Sequence, residues 1–276
     1  MFNQTSNGIK TCSIHKLDYE EMVSKLAGRE FLSLCPECTK EQSERDAVEA
    51  KLRLEKQFQE QRRQSKENQI NRLLSGSLIP PRYLTRTFAN YRADSEGQQR
   101  ALKAIESYAE DFTTHEKSGA GIVMAGKPGT GKTHLACALA NDLIFRLQKN
   151  PVFIPASKMI RKIRETYRRD SEHTEQQMIN LFRDADLLII DEVGIQRGTE
   201  AEEHLLFEII NERNAYFNPT ILISNLNAAD IKTYIGERAM DRMREGGGKF
   251  VSFDWDSYRG NVAKDTDLPI RDKRES

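Results

Sequence analysis

The sequence has no excess of charge of either sign and shows no internal repeat. Lys plus Arg and Asp plus Glu both number 42, so the formal net charge is zero. This excludes a protein that binds nucleic acid through bulk basic charge, and any such binding would need a local patch. From the length of 276 residues we expect one or two domains.

Long apolar runs and abundant cysteines are also missing. No stretch of about eighteen apolar residues occurs, which argues against a membrane-spanning helix. Residues 1–16 lack the apolar segment of a secretory signal, so we predict a cytoplasmic protein. The four cysteines are too few for a disulfide scaffold, and three of them fall in a pattern typical of a metal site.

One stretch, residues 126–133, organises the chain and fits the phosphate-loop pattern G-x-x-x-x-G-K-[ST]. An apolar run at 121–125 predicts a buried strand before it, and apolar residues spaced through 135–147 predict a helix after it. The alternative is a chance glycine-rich turn. In a true phosphate loop, backbone N–H groups at a helix start surround the phosphates, Lys132 reaches the β- and γ-phosphates, and the Thr133 hydroxyl faces Mg²⁺. The predicted nucleotide-binding residues in this loop are Gly126, Lys127, Pro128, Gly129, Thr130, Gly131, Lys132 and Thr133.

A second apolar segment, 185–190, ends in the carboxylates Asp191 and Glu192. Such a run predicts a strand buried on both faces of a parallel sheet, and ligands bind at the carboxyl ends of parallel strands. Asp191 can hold Mg²⁺, while Glu192 can orient or deprotonate an attacking water. The alternative is a buried strand that ends in a solvated acidic turn. Further strands are predicted at 151–155, 220–225 and 250–253, which indicates an α/β fold.

The N-terminal region carries two chelating pairs, Cys12 with His15 and Cys35 with Cys38. Tetrahedral zinc favours thiolate and imidazole ligands in short pairs of this kind. Four protein ligands leave no open position, so we predict a structural Zn²⁺ site. The intervening segment has few apolar residues and would need the metal to fold. The alternative is three free cysteines and a surface histidine.

A charged, helix-prone stretch at 41–74 predicts an exposed helix or helical linker without a sustained heptad. The breakers at 75–77 and 80–81 end it and mark a domain boundary. The C-terminal residues are charged and predicted to be disordered. The predicted organisation is a zinc-binding unit at 1–40, a linker at 41–79, a nucleotide-binding domain at 80–262 and a tail at 263–276.

Residues 158–169 predict a basic helix with one interleaved aromatic, capped at its start by Ser157. This pattern suits single-stranded nucleic acid, whose phosphates pair with the cations while a base stacks on the ring. An equal alternative is a solvated amphipathic helix with Met159, Ile160 and Ile163 in the core. The candidate nucleic-acid residues are Arg161, Lys162, Arg164, Tyr167 and Arg168.

Five separated motifs carry a family resemblance: GKPGTGKTHLA, LLIIDEVG, ISNLN, GERAMDRMR and FDWDSYR, in this order. Over residues 80–262 the chain resembles the DnaC/IstB group of AAA+ ATPases, which includes bacterial and phage helicase loaders. This resemblance implies a P-loop NTPase fold with a central parallel sheet flanked by helices, binding ATP and Mg²⁺ and hydrolysing ATP. The N-terminal unit departs from the DnaC pattern and is more similar to the zinc-bearing domain of DnaI-type loaders.

The resemblance also implies roles that spacing alone would not assign. Asn225 matches the sensor-one position, and Arg242 matches the arginine finger that acts on ATP of a neighbouring subunit. Arg238, one helical turn earlier, is the second choice for the finger. Arg259 matches the sensor-two arginine. By themselves these arginines would be interpreted as surface ion pairs. The catalytic set implied is Lys132, Glu192, Asn225, Arg242 and Arg259.

The resemblance further implies an ATP-dependent loader that places a DnaB-type hexameric helicase on single-stranded DNA at initiation of replication. Such a protein would self-associate through its AAA+ domain. Two alternatives stay open. One is an IstB-like transposition helper ATPase that acts on duplex DNA. The other is a single-strand-binding adaptor that binds ATP without hydrolysing it.

Overall fold

The computed structural model describes residues 4–26, 29–168, 170–194 and 200–258. The predictions for Arg259 and for the tail at 263–276 lie outside these residues. The chain divides into two compact units, 1–67 and 68–276. The division falls inside one long helix rather than at the turn after it, so we describe each unit by itself.

The first unit contains an antiparallel sheet of three strands in the order β1-β2-β3. Sequence analysis did not predict these strands, because their polar and apolar residues do not alternate. Few of the described side chains in this unit are buried: Ile9, Phe31 and Leu32 of the sheet are exposed, and Tyr19, Met22 and Val23 are only partly buried. The strands are β1 (Gln4–Thr11), β2 (Asp18–Leu26) and β3 (Arg29–Leu32).

Helix α1 (Pro36–Gly76) follows the sheet and buries none of its residues. Its exposed surface carries pairs such as Arg53 with Glu49 at 2.6 Å and Arg63 with Glu60 at 2.7 Å. Pairs of this kind contribute only about 0.3–0.5 kcal/mol each. The helix is therefore largely solvated, as the charge pattern predicted, although it begins at Pro36 and includes Cys38. Only its last turns pack, with Ile70, Leu73 and Leu74 partly buried against apolar residues of the second unit.

The second unit is built on a parallel sheet of five strands in the order β5-β6-β7-β4-β8. Helices cover both faces of the sheet, which confirms the predicted α/β class with a central parallel sheet flanked by helices. The strands are β4 (Ile122–Gly126), β5 (Pro151–Pro155), β6 (Leu187–Val193), β7 (Thr220–Ser224) and β8 (Lys249–Phe253). The helices are α2 (Glu96–Glu110), α3 (Phe112–Ser118), α4 (Lys132–Asp142), α5 (Ala156–Glu165), α6 (Glu175–Arg183), α7 (Glu200–Ala215) and α8 (Ala228–Arg244).

Two apolar layers explain why the strand sequences are continuously apolar. Val123 and Ala125 of β4 belong to one buried cluster, while Ile122 and Met124 belong to the other. Successive side chains of a strand point to opposite faces, so both faces of β4 are buried. The first cluster includes residues of α5, α6, α7 and α8, and the second includes residues of α2 and α4.

Two helices in this unit differ from the sequence prediction. Helix α5 begins at Ala156 with Pro155 at its N-cap and no side-chain cap. The prediction that Ser157 caps it was therefore wrong, because the helix starts before that residue. Helix α6 was not predicted at all, although its capping box at Thr174 and Gln177 is a sequence signal that could have revealed it.

The segment before α2 is held against the core by one buried amide. The Nδ2 group of Asn141, on α4, donates to the carbonyl oxygens of Tyr83, Leu84 and Arg86 at 2.9–3.2 Å. Tyr83 and Tyr91 from this segment pack partly buried against the second cluster. This lead-in segment is thereby fixed beside the phosphate loop.

Candidate nucleotide site and metal centre

The phosphate loop connects β4 to α4 at the carboxyl edge of the sheet. Gly129 and Gly131 have φ values of 77° and 95°, which strain any residue with a Cβ atom. A Cβ on Gly131 would also lie 2.6 Å from Cε2 of Tyr91. Glycine at this position therefore serves both the turn and the close packing of the tyrosine ring.

Lys132 lies inside this loop, with a side chain only 5% exposed. Its Nζ donates to the carbonyl oxygens of Gly126 at 2.8 Å and Lys127 at 2.6 Å, and to Oγ1 of Thr130 at 3.4 Å. Hydrogen bonds to the loop carbonyls thus offset the free-energy cost of burying the Lys132 ammonium group. The positive charge is held at the place where a P-loop binds the β- and γ-phosphates.

Asp191, at the end of β6, is brought next to Thr133 although 58 residues separate them. The Thr133 hydroxyl donates to Oδ2 of Asp191 at 2.9 Å, and the backbone N–H of Glu192 donates to Oδ1 at 2.7 Å. Burial raises the pKa of Asp191 above its ordinary value. Keeping this carboxylate ionised in the folded protein therefore costs free energy of folding. A hydroxyl and a carboxylate are oxygen donors of the type that Mg²⁺ prefers, so these two residues fit a magnesium site.

Replacing Asp191 with Asn should separate stability from Mg²⁺ binding. Because the folded-state pKa of Asp191 is raised, its ionisation opposes folding, and stability falls as pH rises from the unfolded pKa through the folded one. At pH 7 the nucleotide-free Asp191→Asn protein should melt at a higher temperature than the wild type. The difference between their melting temperatures should be smaller at pH 5. Titrations of the variant with ATP, with and without Mg²⁺, should show that Mg²⁺ no longer increases the affinity for ATP. A lower melting temperature for the variant would contradict this.

Glu192 and Asn225 follow the buried parts of neighbouring strands. Glu192 has a positive φ of 61° and an exposed side chain, which directs its carboxylate out of the sheet. Asn225 is exposed directly after β7. The Oγ of Ser224 donates to the carbonyl oxygen of Val193 at 2.6 Å, so the two strand ends are tied together. The predicted catalytic base, Glu192, and the predicted sensor amide, Asn225, therefore lie at adjacent strand ends.

The two candidate fingers lie beyond a break in α8. Gly236 has φ 80° and ψ 157°, so the helix restarts there and presents Arg238 and Arg242 one turn apart. Arg242 donates from Nη1 to Oε1 of Glu245 at 2.7 Å. Arg238 is exposed, and it makes no ion pair with the described residues. Both arginines face solvent on one helical face, and the apolar residues Ala239, Met240 and Met243 hold the other face in the core.

The four predicted metal ligands meet in the first unit. Their ligand atoms all lie within 4.8 Å of one another. Sγ of Cys12 is 3.6 Å from Sγ of Cys38, and Nδ1 of His15 is 3.3–3.7 Å from the three sulfurs. A tetrahedral Zn²⁺ site places two sulfurs about 3.8 Å apart and sulfur and nitrogen about 3.6 Å apart, from the usual bond lengths. The cluster therefore fits zinc in both donor type and size.

Backbone N–H groups and a carboxylate support these ligands. The N–H of His15 donates to Sγ of Cys12, and that of Cys38 donates to Sγ of Cys35, both at 3.4 Å. The backbone hydrogen bond from His15 is the main cause that lowers the pKa of Cys12 to about 6, whereas burial raises that of Cys38 to about 12. Thiols this close ionise together only beside a cation.

Glu41 is a supporting residue that sequence analysis missed. Its Oε1 lies 3.2 Å from Nε2 of His15, which leaves Nδ1 directed towards the three sulfurs. Carboxylates commonly orient metal-binding histidines in this way. The available signal was its position three residues after Cys38, on the same face of the first turns of α1.

Comparison with known proteins assigns the family. The model of the IstB-like ATP binding protein family matches residues 14–261. The chain belongs to this family. It is 36% identical over 200 residues to the replicative helicase loader DnaC of Escherichia coli (strain K12), covering 72% of this chain and 80% of the relative. The DnaC protein of Buchnera aphidicola subsp. Schizaphis graminum (strain Sg) is 34% identical over 203 residues, covering 74% and 81%. The predicted DnaC/IstB resemblance is confirmed.

Solved structures show the same fold. The crystal structure of the DnaC helicase loader superposes with a TM-score of 0.57 at 21% identity, covering 63% of this chain and 100% of that one. A crystal structure of DnaI gives 0.53 at 17% identity, covering 65% and 94%. The part of this chain that superposes therefore has the same fold as these two structures. Among the described residues, none of the helices is apolar enough over its length to cross a membrane.

The basic helix combines both interpretations left open by the sequence. Met159, Ile160 and Ile163 of α5 are buried in the core, while Arg161 and Arg164 are exposed and Lys162 is partly exposed. The predicted helix end at 169 was wrong, because α5 ends at Glu165 and the exposed Arg168 lies in the turn that follows. Two candidate contacts already have carboxylate partners. Arg164 pairs with Glu202 at 3.1 Å, and Oη of Tyr167 donates to Glu175 at 2.5 Å.

A segment that sequence analysis treated only as a family motif also contacts the phosphate loop. We call residues 254–258, which follow β8, the strap. Trp255 donates from Nε1 to the carbonyl oxygen of Thr130 at 3.0 Å, and the N–H of Tyr258 donates to that of Gly129 at 2.9 Å. Asp256 lies 3.3 Å from Nζ of Lys127. The strap leads directly to Arg259, which lies outside the described residues.

Proposed function

We propose that this protein is an ATP-dependent loader that places a DnaB-type replicative helicase on single-stranded DNA. The observation that carries the proposal is its 36% identity to a replicative helicase loader over four fifths of that protein's length. The geometry of the second unit supports it, because the phosphate loop, Asp191 and Glu192 are gathered at one edge of the sheet. These parts suit phosphoryl transfer to water.

In the proposed reaction the phosphate loop binds the phosphates, and residues at the strand ends activate the attacking water. Lys132 binds the β- and γ-phosphates, and Glu192 accepts a proton from the attacking water, which Asn225 helps to orient. Mg²⁺, held by Thr133 and Asp191, would neutralise charge that develops on the phosphates. The proposed cofactors are ATP and Mg²⁺ at this site and Zn²⁺ in the first unit.

A neighbouring copy would complete the proposed site. The exposed face of α8 with Arg238 and Arg242 can reach outwards to another subunit. We keep Arg242 as the proposed finger because of its motif position, although its pairing with Glu245 must then exchange for a phosphate. Arg238 needs no such exchange and stays the second choice. Arg259 completes the proposed set as the sensor-two residue.

The proposed DNA contact is the exposed face of α5 together with Arg168 in the turn after it, and neutralising it should weaken binding. Changing Arg161, Lys162 and Arg168 to Ala together should lower affinity for a single strand at 50 mM salt. Each lost phosphate contact should flatten the plot of log affinity against log salt by about 0.7. Fluorescence anisotropy with a labelled oligonucleotide measures both. Arg100→Ala, on an exposed face of α2, is the control. Unchanged affinity and slope in the triple variant would mean that α5 has only a structural role and does not bind DNA.

The first unit is proposed to hold the helicase. Its described surface exposes large apolar side chains, with Ile9 79%, Ile14 72% and Leu32 55% exposed, and these side chains are accessible to a partner protein. Full-length protein should therefore retain the cognate hexameric helicase in a pull-down. A chain that begins at residue 68 should lose it but still bind ATP. Equal retention by both would refute this docking role.

A second candidate is a transposition helper, because the matching family model is described as IstB-like. Such a protein would act on duplex DNA. Competition between labelled single-stranded and duplex DNA of the same length separates the two functions, since a loader should prefer the single strand.

A further inference from the structure

The carbonyl oxygen of Thr130 accepts two side-chain hydrogen bonds from outside the phosphate loop. One comes from Oη of Tyr91 in the lead-in segment at 3.2 Å, and the other comes from Nε1 of Trp255 in the strap at 3.0 Å. The preceding carbonyl, that of Gly129, accepts the N–H of Tyr258 at 2.9 Å. Two successive peptide groups of the loop are therefore held by groups distant in sequence.

These contacts fix the direction of two N–H groups. A trans peptide group is planar, and its C=O and N–H bonds point in opposite directions. Since the carbonyls of Gly129 and Thr130 point to the strap and Tyr91, the N–H groups of Thr130 and Gly131 point away from them. Neither N–H has a hydrogen-bond acceptor among the described residues. Backbone N–H groups of this loop are what cradle the α- and β-phosphates in a P-loop.

The two donors are themselves held in place. The Trp255 ring packs on that of Phe253, with centroids 4.9 Å apart, and lies so close to Gly97 that a Cβ there would be 3.1 Å from Cε3. Tyr91 makes an edge contact with His134 at 5.3 Å. Burial raises the pKa of Tyr91 to about 12, so its hydroxyl stays protonated and able to donate at neutral pH.

We propose that Tyr91 and Trp255 are positioning residues that hold the Thr130–Gly131 peptide in the orientation that binds the β-phosphate. Either donor alone is enough to hold the carbonyl, so the two act redundantly. The inference rests on the proposed nucleotide site but adds to it a pair of residues outside the phosphate-loop motif. Their effect should fall on the binding of ADP and ATP alike, because both ligands carry a β-phosphate.

The test compares Tyr91→Phe, Trp255→Phe and the double variant in the full-length protein. Isothermal titration measures the Kd for ADP and for a non-hydrolysable ATP analogue. Each single change should raise Kd by no more than about threefold, within the range for one hydrogen bond. The double variant should raise it by roughly tenfold or more, beyond the product of the single effects. The kcat at saturating ATP should change by less than about twofold, since only binding is affected.

Tyr216→Phe is the matched control, because Tyr216 is exposed directly after the end of α7. Thermal unfolding of each nucleotide-free variant shows whether the fold is retained. A double variant that folds and binds ADP as wild type does, or whose effects simply multiply, overturns the inference. So does a fall in kcat with unchanged Kd. If the wild-type protein itself binds no ADP, the proposed function fails instead.

Discussion

Replacing Glu192 with Gln is expected to lower ATP turnover about 100-fold or more while leaving ATP bound. The side chain keeps its size and its place at the end of β6 but loses the ability to accept a proton, and general-base catalysis contributes on this scale. Lys132→Ala should lower turnover as well, but by weakening ATP binding itself, because it removes the charge buried in the loop. The two variants should therefore differ in affinity although both are inactive.

Phosphate release in the presence of single-stranded DNA measures turnover, and titration of a fluorescent ATP analogue measures binding. Glu172→Gln is the matched control, since Glu172 is an exposed glutamate of the same unit. Turnover at the wild-type rate in both Lys132→Ala and Glu192→Gln would reject the proposed chemistry. Normal nucleotide binding without any turnover in the wild-type protein would favour the adaptor that binds ATP as a structural ligand.

Removing the metal is expected to unfold the first unit. Its described apolar side chains are mostly exposed, so hydrophobic burial alone is small, whereas structural zinc sites supply about 10–16 kcal/mol in small domains. The purified protein should contain about one zinc per chain. The Cys35→Ala, Cys38→Ala double variant should contain almost none, and its first unit should be rapidly cleaved by protease.

Metal analysis by mass spectrometry and limited proteolysis test this directly. Cys137→Ala is the control, because Cys137 is buried in α4 of the second unit and should leave the zinc content unchanged. The second unit of the double variant should still bind ADP. Full zinc content in the double variant, or a first unit that resists protease without metal, would contradict the prediction.

Much of the second unit could be predicted because its signals are local. Continuous apolar runs such as 121–125 and 187–190 can only be satisfied between two layers of helices, and this predicted buried parallel strands. The metal cluster was also foreseeable, since each chelating pair is set by a spacing of three residues. The strands of the first unit could not be predicted. Their sheet has almost no buried core, so polar and apolar residues do not alternate along its strands.

The sequence by itself determined which groups carry the chemistry: the phosphate-loop residues, the carboxylates Asp191 and Glu192, and the four metal ligands. Only the tertiary structure decided what holds those groups. Tyr91 and Trp255 lie 39 and 125 residues from Thr130, and no spacing rule connects them. Their contact arises because the lead-in segment and the strap after β8 both pack at the carboxyl edge of a parallel sheet, where the chain order of the strands differs from their order in space.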